Sequence, residues 1–541
     1  MELMNRNFKI ILIFTGLLMT ALVFRLAYIQ LIGHEELSEA VRVQSLISLE
    51  GGNTRGMIYD RNGKALVADD KQYVYIIREK DFDIAAEKQL EKLGAEETSR
   101  GDGYLVYSSE QYDKAAGEKL IQKNHAYILH TSARYGDDQT AEHLIGYINS
   151  EDSSGAAGLE LMYDDILSGA NRRLYAAADV KGNILPGRGI IAVSDRETGS
   201  YLKTSIRTTL DKELQEEVET ILAAYRGKCA AVVLDADSGG VLAMASTPGF
   251  DPDNIDSYIG SSGEELINRA TQGEYAPGSV FKIVVAAAAL ENGVSINKTY
   301  ECSGTAHVGS LSIGCKTGGE AGHGVIGFED AFARSCNSYF IQLGQETGAD
   351  NIIETAIELG LGETVIEGFP QENAGHLMTV QERSGDAVGN LSIGQGQLLV
   401  TPVQIAAMTN IIASGGIDHK VHLVMNDEVQ ERSVISSETA SAIQSMMEKT
   451  TLEGTAASLG MTDEDGQPEA AVKTGTAEYG AGESAGTHGW ITGYAPCDDP
   501  EYIVTVLAED GSSGTEAAGP LFKRIIEYLK DSGSYSKPTL A

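Results

Sequence analysis

The chain has 541 residues, with 41 Lys and Arg against 78 Asp and Glu and a formal net charge of -37. So acidic a surface repels a polyanion, and no basic patch offsets it, so a nucleic-acid partner is excluded. The length exceeds one ordinary core and calls for two or more domains, one of them large.

Residues 10–24 carry no charge, are largely apolar, and follow Arg6 and Lys9. If Arg25 snorkels and residues 26–31 continue the helix, the run supplies the ~20 residues that a rise of about 1.5 Å each requires to cross a ~30 Å hydrocarbon core. No small-x-small cleavage site follows. Residues 1–32 are therefore expected to be a cytoplasmic tip and an uncleaved, single-pass anchor, with everything after it on the extracytoplasmic face of the cell membrane.

Residues 55–67 read as two short strands joined by an Asn62-Gly63 turn. From there to about residue 200, helical segments rich in Glu and Lys, such as 83–93, alternate with short strands. Gly158-Leu159-Glu160 with Tyr163, Asp164 and Leu167 gives a helix with an apolar face. This half contains no nucleophile, metal cluster or phosphate loop, so residues 33–200 are expected to be a structural pedestal.

In residues 201–541, Thr209-Leu210-Asp211 caps a helix over 212–225, and two apolar strands (230–235 and 241–246) flank Asp237-Ser238-Gly239-Gly240 as a hairpin. Ser279 follows the Pro277-Gly278 turn and stands at the mouth of an almost wholly apolar helix. Lys282, three residues on, leaves the same helical face, so its amine can reach the Ser279 hydroxyl: a nucleophile with a base beside it. A helix over 331–345 carries Ser335-Cys336-Asn337, or leaves it on its N-terminal loop. Another, over 401–413, is opened by Pro402. The strand 470–472 runs into Lys473-Thr474-Gly475-Thr476, strands follow at 490–495 and 502–509, and a helix covers 521–529. Strands, a long helical insertion and strands again predict an α+β domain, an antiparallel sheet with helices segregated on its faces.

Of the five cysteines, Cys302 and Cys315 flank a Gly-rich loop and can close a small disulfide in an oxidising compartment, whereas Cys336 is expected to be a buried free thiol. Cys229 and Cys497 lie at strand edges, and their pairing stays open. No His/Cys spacing resembles a zinc site, and no metal or cofactor is expected.

Each short pattern is weak by itself. Ser-x-x-Lys recurs at Ser200/Lys203, Ser295/Lys298 and Ser534/Lys537, Ser-x-Asn at Ser295/Asn297, and Lys-Thr-Gly at Lys316-Thr317-Gly318. Context separates them, because only Ser279/Lys282, Ser335/Asn337 and Lys473–Thr476 fall in order on a core helix, a helical segment and an apolar strand that can converge on one cleft.

Those three patterns occur together in penicillin-binding proteins and serine β-lactamases. Over nearly its whole length the chain resembles the class B penicillin-binding proteins. The matching stretches also include the hydrophobic run with Arg25-Leu26-Ala27-Tyr28-Ile29-Gln30, the 55–66 hairpin, Gly158-Leu159-Glu160, and Gly394-Gln395-Gly396 leading to Thr401-Pro402. The resemblance implies a peptidoglycan D,D-transpeptidase in three parts: the anchor, a pedestal or dimerisation-type domain, and a C-terminal transpeptidase domain whose antiparallel sheet is packed between helices. It implies that Ser279 is the nucleophile and Lys282 its base, with Lys473 near enough to lower the Lys282 pKa by like charge. Ser335 would relay a proton and Asn337 would hydrogen-bond Lys282 or the substrate amide. Thr474, Gly475 and Thr476 would hold substrate, and the N–H groups of Ser279 and Thr476 would form the oxyanion hole. His488 stays outside this set. The partners implied are stem peptides, β-lactams and a separate membrane glycosyltransferase.

A serine β-lactamase would need a base that activates water, and no such Glu is identifiable. A non-catalytic sensor or scaffold has no use for intact Ser279, Lys282 and Lys473. Residues 44–199 are too short for the glycosyltransferase of a bifunctional enzyme.

Overall fold

A computed structural model describes residues 55–67, 71–168 and 205–532, with gaps at 102, 133, 137–138, 150–153, 384, 426–430 and 481–484. It also describes the strands Leu46–Leu49, Arg172–Ala177 and Ile190–Ser194 and residues 15–16 and 19–20. The expected anchor over residues 10–24 thus lies almost entirely outside the described residues. Among those described, no helix is long and apolar enough to cross a membrane.

Two compact units divide the chain. The first takes Met1–Arg55, Asp70–Ala133 and Gly169–Tyr201. In it Lys71–Arg78, Ile84–Lys92, Glu96–Gly101, Tyr104–Ser109, Lys114–Asn124 and Tyr127–Ser132 follow one another as β-α-β-β-α-β. The four strands lie in the spatial order second, third, first, fourth, all antiparallel, which is the split βαβ arrangement. Asp83 and Asp113 open the helices by accepting the N–H groups of Ala86 and Ala116. Leu90 and Leu120 then pack on Tyr75 and Ile77.

The second unit takes Leu202–Ala541 but also Gly56–Asp69 and Arg134–Ser168, two stretches within the span expected as the pedestal. Hydrophobic burial is the reason: Ile58, Leu66, Leu144, Ile145 and Leu159 belong to the same buried core as the helix that follows Ser279. The expected 55–67 hairpin forms: Leu66 N–H donates to Ile58 O at 2.9 Å and Asp60 N–H to Lys64 O at 2.8 Å on either side of the Tyr59–Ala65 bridge, and its strand Ile58–Tyr59 also pairs in parallel with Ile206–Arg207. Its turn is held by the buried Asp60, whose carboxylate accepts the N–H groups of Asn62, Lys64 and Lys212. Glu160, fully buried, pairs with Arg134 at 2.5 Å.

The body of this unit contains α1 (Lys212–Ala223), β1 (Cys229–Asp235), β2 (Val241–Thr247), α2 (Lys282–Glu291), α3 (Asn337–Thr347), α4 (Pro402–Ala413), α5 (Ser437–Leu452), β3 (Ala471–Tyr479), β4 (Gly486–Ala495), β5 (Tyr502–Ala508) and α6 (Gly519–Asp531). The strands form one antiparallel sheet in the order β2-β1-β5-β4-β3, which leaves β3 on an edge. Strand alternation sends Ala231, Val233, Ile491, Val504 and Val506 to one face, against Val218 and Leu222 of α1 and Phe522 and Ile525 of α6. Their neighbours Ala230, Val232, Trp490, Ile503 and Leu507 go to the other face, with α2, α4 and α5. From Lys282 to Ala289 every side chain of α2 is buried. Each buried Ile or Val there contributes roughly 1.5–3 kcal/mol, which offsets the cost of taking Lys282 out of water.

Candidate active site

Ser279 sits on a 3-10 turn, Gly278–Phe281, that leads into α2. Gly278 makes this possible: its φ is 53°, and a Cβ there would stand 2.6 Å from the backbone oxygen of Thr476. The same peptide is clamped from the other side, where Gly278 N–H donates to Gly394 O at 2.8 Å. A Cβ on Gly394 would lie 2.0 Å from Gly278 O. The nucleophile turn is therefore wedged between edge strand β3 and the Gly394-Gln395-Gly396 loop.

The expected helix over 331–345 is broken. It ends as Phe328–Ala333 and restarts as α3, with Ser335 between them in the left-handed region at φ 54°. The break closes through Ser335 N–H to Phe332 O at 3.0 Å and Cys336 N–H to Ala331 O at 2.8 Å. A left-handed Ser costs energy, and here it turns both the carbonyl and the hydroxyl of Ser335 toward Lys282. The Lys282 amine lies 2.8 Å from Ser335 O, 3.1 Å from Ser335 Oγ and 2.7 Å from Asn337 Oδ1. Asn337 in turn donates to Gly314 O at 3.2 Å.

Lys473, also fully buried, enters from β3; its Nζ donates to Thr474 O at 3.0 Å and lies 5.6 Å from the Phe332 ring centroid. Burial pulls Lys282 down from the ordinary Lys range to about 7, opposed by the neighbouring Cys336 and Cys315. Lys473 is held well below the ordinary range by burial and then by repulsion from Lys282. The two buried amines thus repel each other's charge, with burial the larger cause for both.

Ser279, Ser335, Asn337, Thr474, Gly475 and Thr476 all line one cleft of about 520 Å³. Lys282 and Lys473 stand behind it. The lining adds residues that sequence reasoning missed, Asn390, Thr455 and the stretch Ser513-Gly514-Thr515, together with Gln395 of the Gly394-Gln395-Gly396 stretch. Thr455 Oγ1 and Thr474 Oγ1 lie 2.5 Å apart, and Gly514 N–H donates to Thr476 Oγ1 at 3.4 Å. Lys316 and Thr317 also reach the lining. Their Lys-Thr-Gly tripeptide was the available signal, set aside because no helix or strand carries it. His488 is held by stacking on Tyr479, with ring centroids 4.3 Å apart, and is not part of the lining.

Cys336, the middle residue of the Ser335–Asn337 turn, belongs to a second cluster. The ligand atoms of Cys302, Cys315, His323 and Cys336 all lie within 4.8 Å of one another. All five cysteines are free, so the Cys302–Cys315 disulfide does not form. Cys315 and Cys336 share a hydrogen bond across 3.6 Å, which holds the Cys315 thiol well below its usual range and pushes Cys336 up. Cys315 Sγ is 3.7 Å from His323 Nδ1. Around a tetrahedral zinc with Zn–S near 2.3 Å, neighbouring sulfurs stand about 3.8 Å apart, so three thiols and an imidazole at these spacings fit that ion. Sequence spacing does not show this set, because its donors are spread over residues 302–336 and only the fold of the 299–327 strands and the helix break gathers them.

A profile of the penicillin binding protein transpeptidase domain matches residues 229–527, and one of the penicillin-binding protein dimerisation domain matches residues 52–204. The chain is 30% identical to penicillin-binding protein PbpB of Mycolicibacterium smegmatis over 82% of its own length and 71% of that protein. It is 26% identical to the peptidoglycan D,D-transpeptidase MrdA of Haemophilus influenzae over 96% and 90% of the two chains. Among solved structures, a chain of a peptidoglycan synthase complex that coordinates polymerisation and crosslinking superposes with a TM-score of 0.73 at 26% identity, covering 99% of each chain.

Proposed function

The chain belongs to the class B penicillin-binding proteins and is a peptidoglycan D,D-transpeptidase; from that premise we propose the following division of labour among its side chains. Ser279 Oγ attacks the carbonyl of the penultimate D-Ala of a stem peptide, an acyl-enzyme forms, and the terminal D-Ala leaves as an amine. Lys282 takes the Ser279 proton. With a pKa of about 7 its amine is neutral for much of the population near neutral pH. Ser335, within 3.1 Å of that amine, passes the proton to the leaving group, and Asn337 holds the amine in place. Lys473 orders the Thr474 end of β3.

The edge position of β3 supports a substrate-binding role for Thr474, Gly475 and Thr476, since the donor can add as an extra strand with its terminal carboxylate at the two hydroxyls. The N–H groups of Ser279 and Thr476 then receive the oxyanion, where one donor is typically worth about 2.7–4 kcal/mol. An amine from a second stem peptide takes the acyl group. β-Lactams, which imitate the donor's end, acylate the same Ser279. Among the described residues the one carboxylate lining the cleft is Glu478, which is tied to Lys316; that arrangement gives no free base for water and favours transfer over β-lactam hydrolysis.

The charge pattern of residues 6–24 supports an N-terminal anchor with the catalytic unit on the extracytoplasmic face. The likeness to the synthase complex supports a membrane glycosyltransferase as partner. The observation that carries the catalytic reading is the meeting of Lys282 with Ser335 and Asn337 at the wall of the cleft that Ser279 lines. Labelling with fluorescent penicillin, followed by peptide mapping, is expected to place the adduct on Ser279. Ser279→Ala is expected to lose both the adduct and cross-linking of nascent peptidoglycan; cross-linking that persists in a strain lacking redundant enzymes overturns the reading.

A further inference from the structure

The cleft carries a second Lys-Thr-Gly tripeptide at its rim. Lys316 and Thr317 face the same space as Thr474 and Thr476, and the Lys316 amine is ion-paired with Glu478 of β3. Their side chains are 71% and 61% exposed, so the pair adds little to the stability of the fold. Yet Lys316 is not on a loose loop. Its neighbour Cys315 is fixed in the thiol cluster, and Asn337 holds Gly314 O at 3.2 Å. The pair therefore joins two fixed walls of the cleft, the arm that follows strand Leu311–Gly314 and the edge of the sheet.

The register of a bound donor shows what arrives there. With its acyl carbonyl at Ser279 and its terminal carboxylate at Thr474 and Thr476, a peptide lying antiparallel on β3 continues from the penultimate D-Ala toward Glu478. One strand residue advances about 3.3 Å, so Glu478, two positions beyond Thr476, stands opposite the residue that precedes the penultimate D-Ala. In a stem peptide that residue is the diamino acid. We propose that Lys316 and Glu478 together read the side-chain end of the donor's diamino acid, and that they fit a zwitterionic end, with an amine and a carboxylate on one carbon, as in a diaminopimelate-type stem. The inference rests on the acyl-donor reading given above.

Charge bookkeeping carries the choice. A zwitterionic end replaces both halves of the ion pair, its amine at Glu478 and its carboxylate at Lys316, so each protein charge exchanges one partner for another. A lysine-type end satisfies Glu478 alone and sets a cation against Lys316.

The test compares two soluble pentapeptides that differ only at the third residue, meso-diaminopimelate or L-lysine, in release of D-Ala by the purified chain and in protection of Ser279 from fluorescent penicillin. The wild type is expected to prefer the diaminopimelate peptide by about fivefold at low salt, the scale of one partly exposed ion pair. Lys316→Met is expected to bring that ratio to about one by removing the repulsion and the carboxylate partner together. Glu478→Gln is expected to slow both peptides and keep the preference, because Lys316 still discriminates. Equal rates in the wild type, or a preference that survives Lys316→Met, overturn the proposal. If neither peptide releases D-Ala or protects Ser279, the acyl-donor reading itself fails, an outcome distinct from equal reaction of both.

Discussion

The Lys282 amine lies 2.7 Å from the side-chain oxygen of Asn337, and through this contact the core helix α2, apolar from Ile283 to Leu290, meets the turn that interrupts the 328–347 helical segment. A buried ammonium needs acceptors, and this one has three, two of them from Ser335. The same three contacts orient the amine once it has lost its proton, since Ser335 Oγ can then donate to it.

Asn337→Ala removes one acceptor from a fully buried amine. A hydrogen bond to a charged group is worth about 1.5–3 kcal/mol, so acylation of Ser279 by benzylpenicillin is expected to slow by roughly 10–150-fold. Asn337→Asp discriminates further: a carboxylate beside Lys282 favours the ammonium, so the rate is expected to fall at neutral pH and recover in alkali. Stopped-flow acylation of the two variants checks both, and an Asp variant with the wild-type pH profile contradicts the contact.

The pH profile of the unmodified enzyme follows from Lys282. Only the neutral amine accepts the Ser279 proton, and burial lowers its pKa from 10.5 to about 7. Below about 7 the rate of acylation is expected to rise nearly tenfold per pH unit; above it the rate levels off. A limb that continues to rise toward pH 10 means that Lys282 keeps an ordinary pKa and another group is the base.

The order of elements in the transpeptidase unit was legible because its strands and helices announce themselves locally. Asp211 caps α1 by accepting from Glu213 and Leu214, and Thr401 with Gln404 forms a capping box at Pro402, both of them short-range signals. The break at Ser335 was legible only as the alternative that Ser335-Cys336-Asn337 sits on an N-terminal loop, these being poor helix formers; that Ser335 takes φ 54°, a conformation that its contacts with Lys282 help to hold, is set by tertiary contacts and not by the local sequence. The mixing of 56–69 and 134–168 into the second core was equally hidden, since an apolar face does not say which core receives it. The thiol cluster escaped for a similar reason, because its four donors meet only after the 299–327 strands are folded back on the helix break.

Metal content tests the cluster directly. The chain purified without chelator is expected to hold one zinc per molecule, released on titration of its thiols, and Cys302→Ser with His323→Ala is expected to abolish it. Because Cys336 lies inside the Ser335–Asn337 turn, stripping the ion is expected to lower Tm and to slow acylation of Ser279. A metal-free preparation with full acylation rate and unchanged Tm shows that the four side chains are only packed together.

Gly394→Ala probes the wedge behind the nucleophile without touching a reacting atom. Gly394 has φ 69°, and an added Cβ would lie 2.0 Å from Gly278 O and 2.8 Å from Phe281 Cβ. Neither neighbour is a flexible tip. The backbone must move, and the peptide that moves carries Ser279 on one side and bears on Thr476 O on the other. A strained left-handed residue costs on the order of 1–3 kcal/mol before any clash is counted. Tm is therefore expected to fall by several degrees, and acylation of the fraction that remains folded is expected to fall with it, because the two N–H groups assigned to the oxyanion hole flank the displaced peptide. A variant with lowered Tm but wild-type acylation would show that the turn at Ser279 keeps its geometry without the Gly394 clamp, and that α2 alone positions the nucleophile.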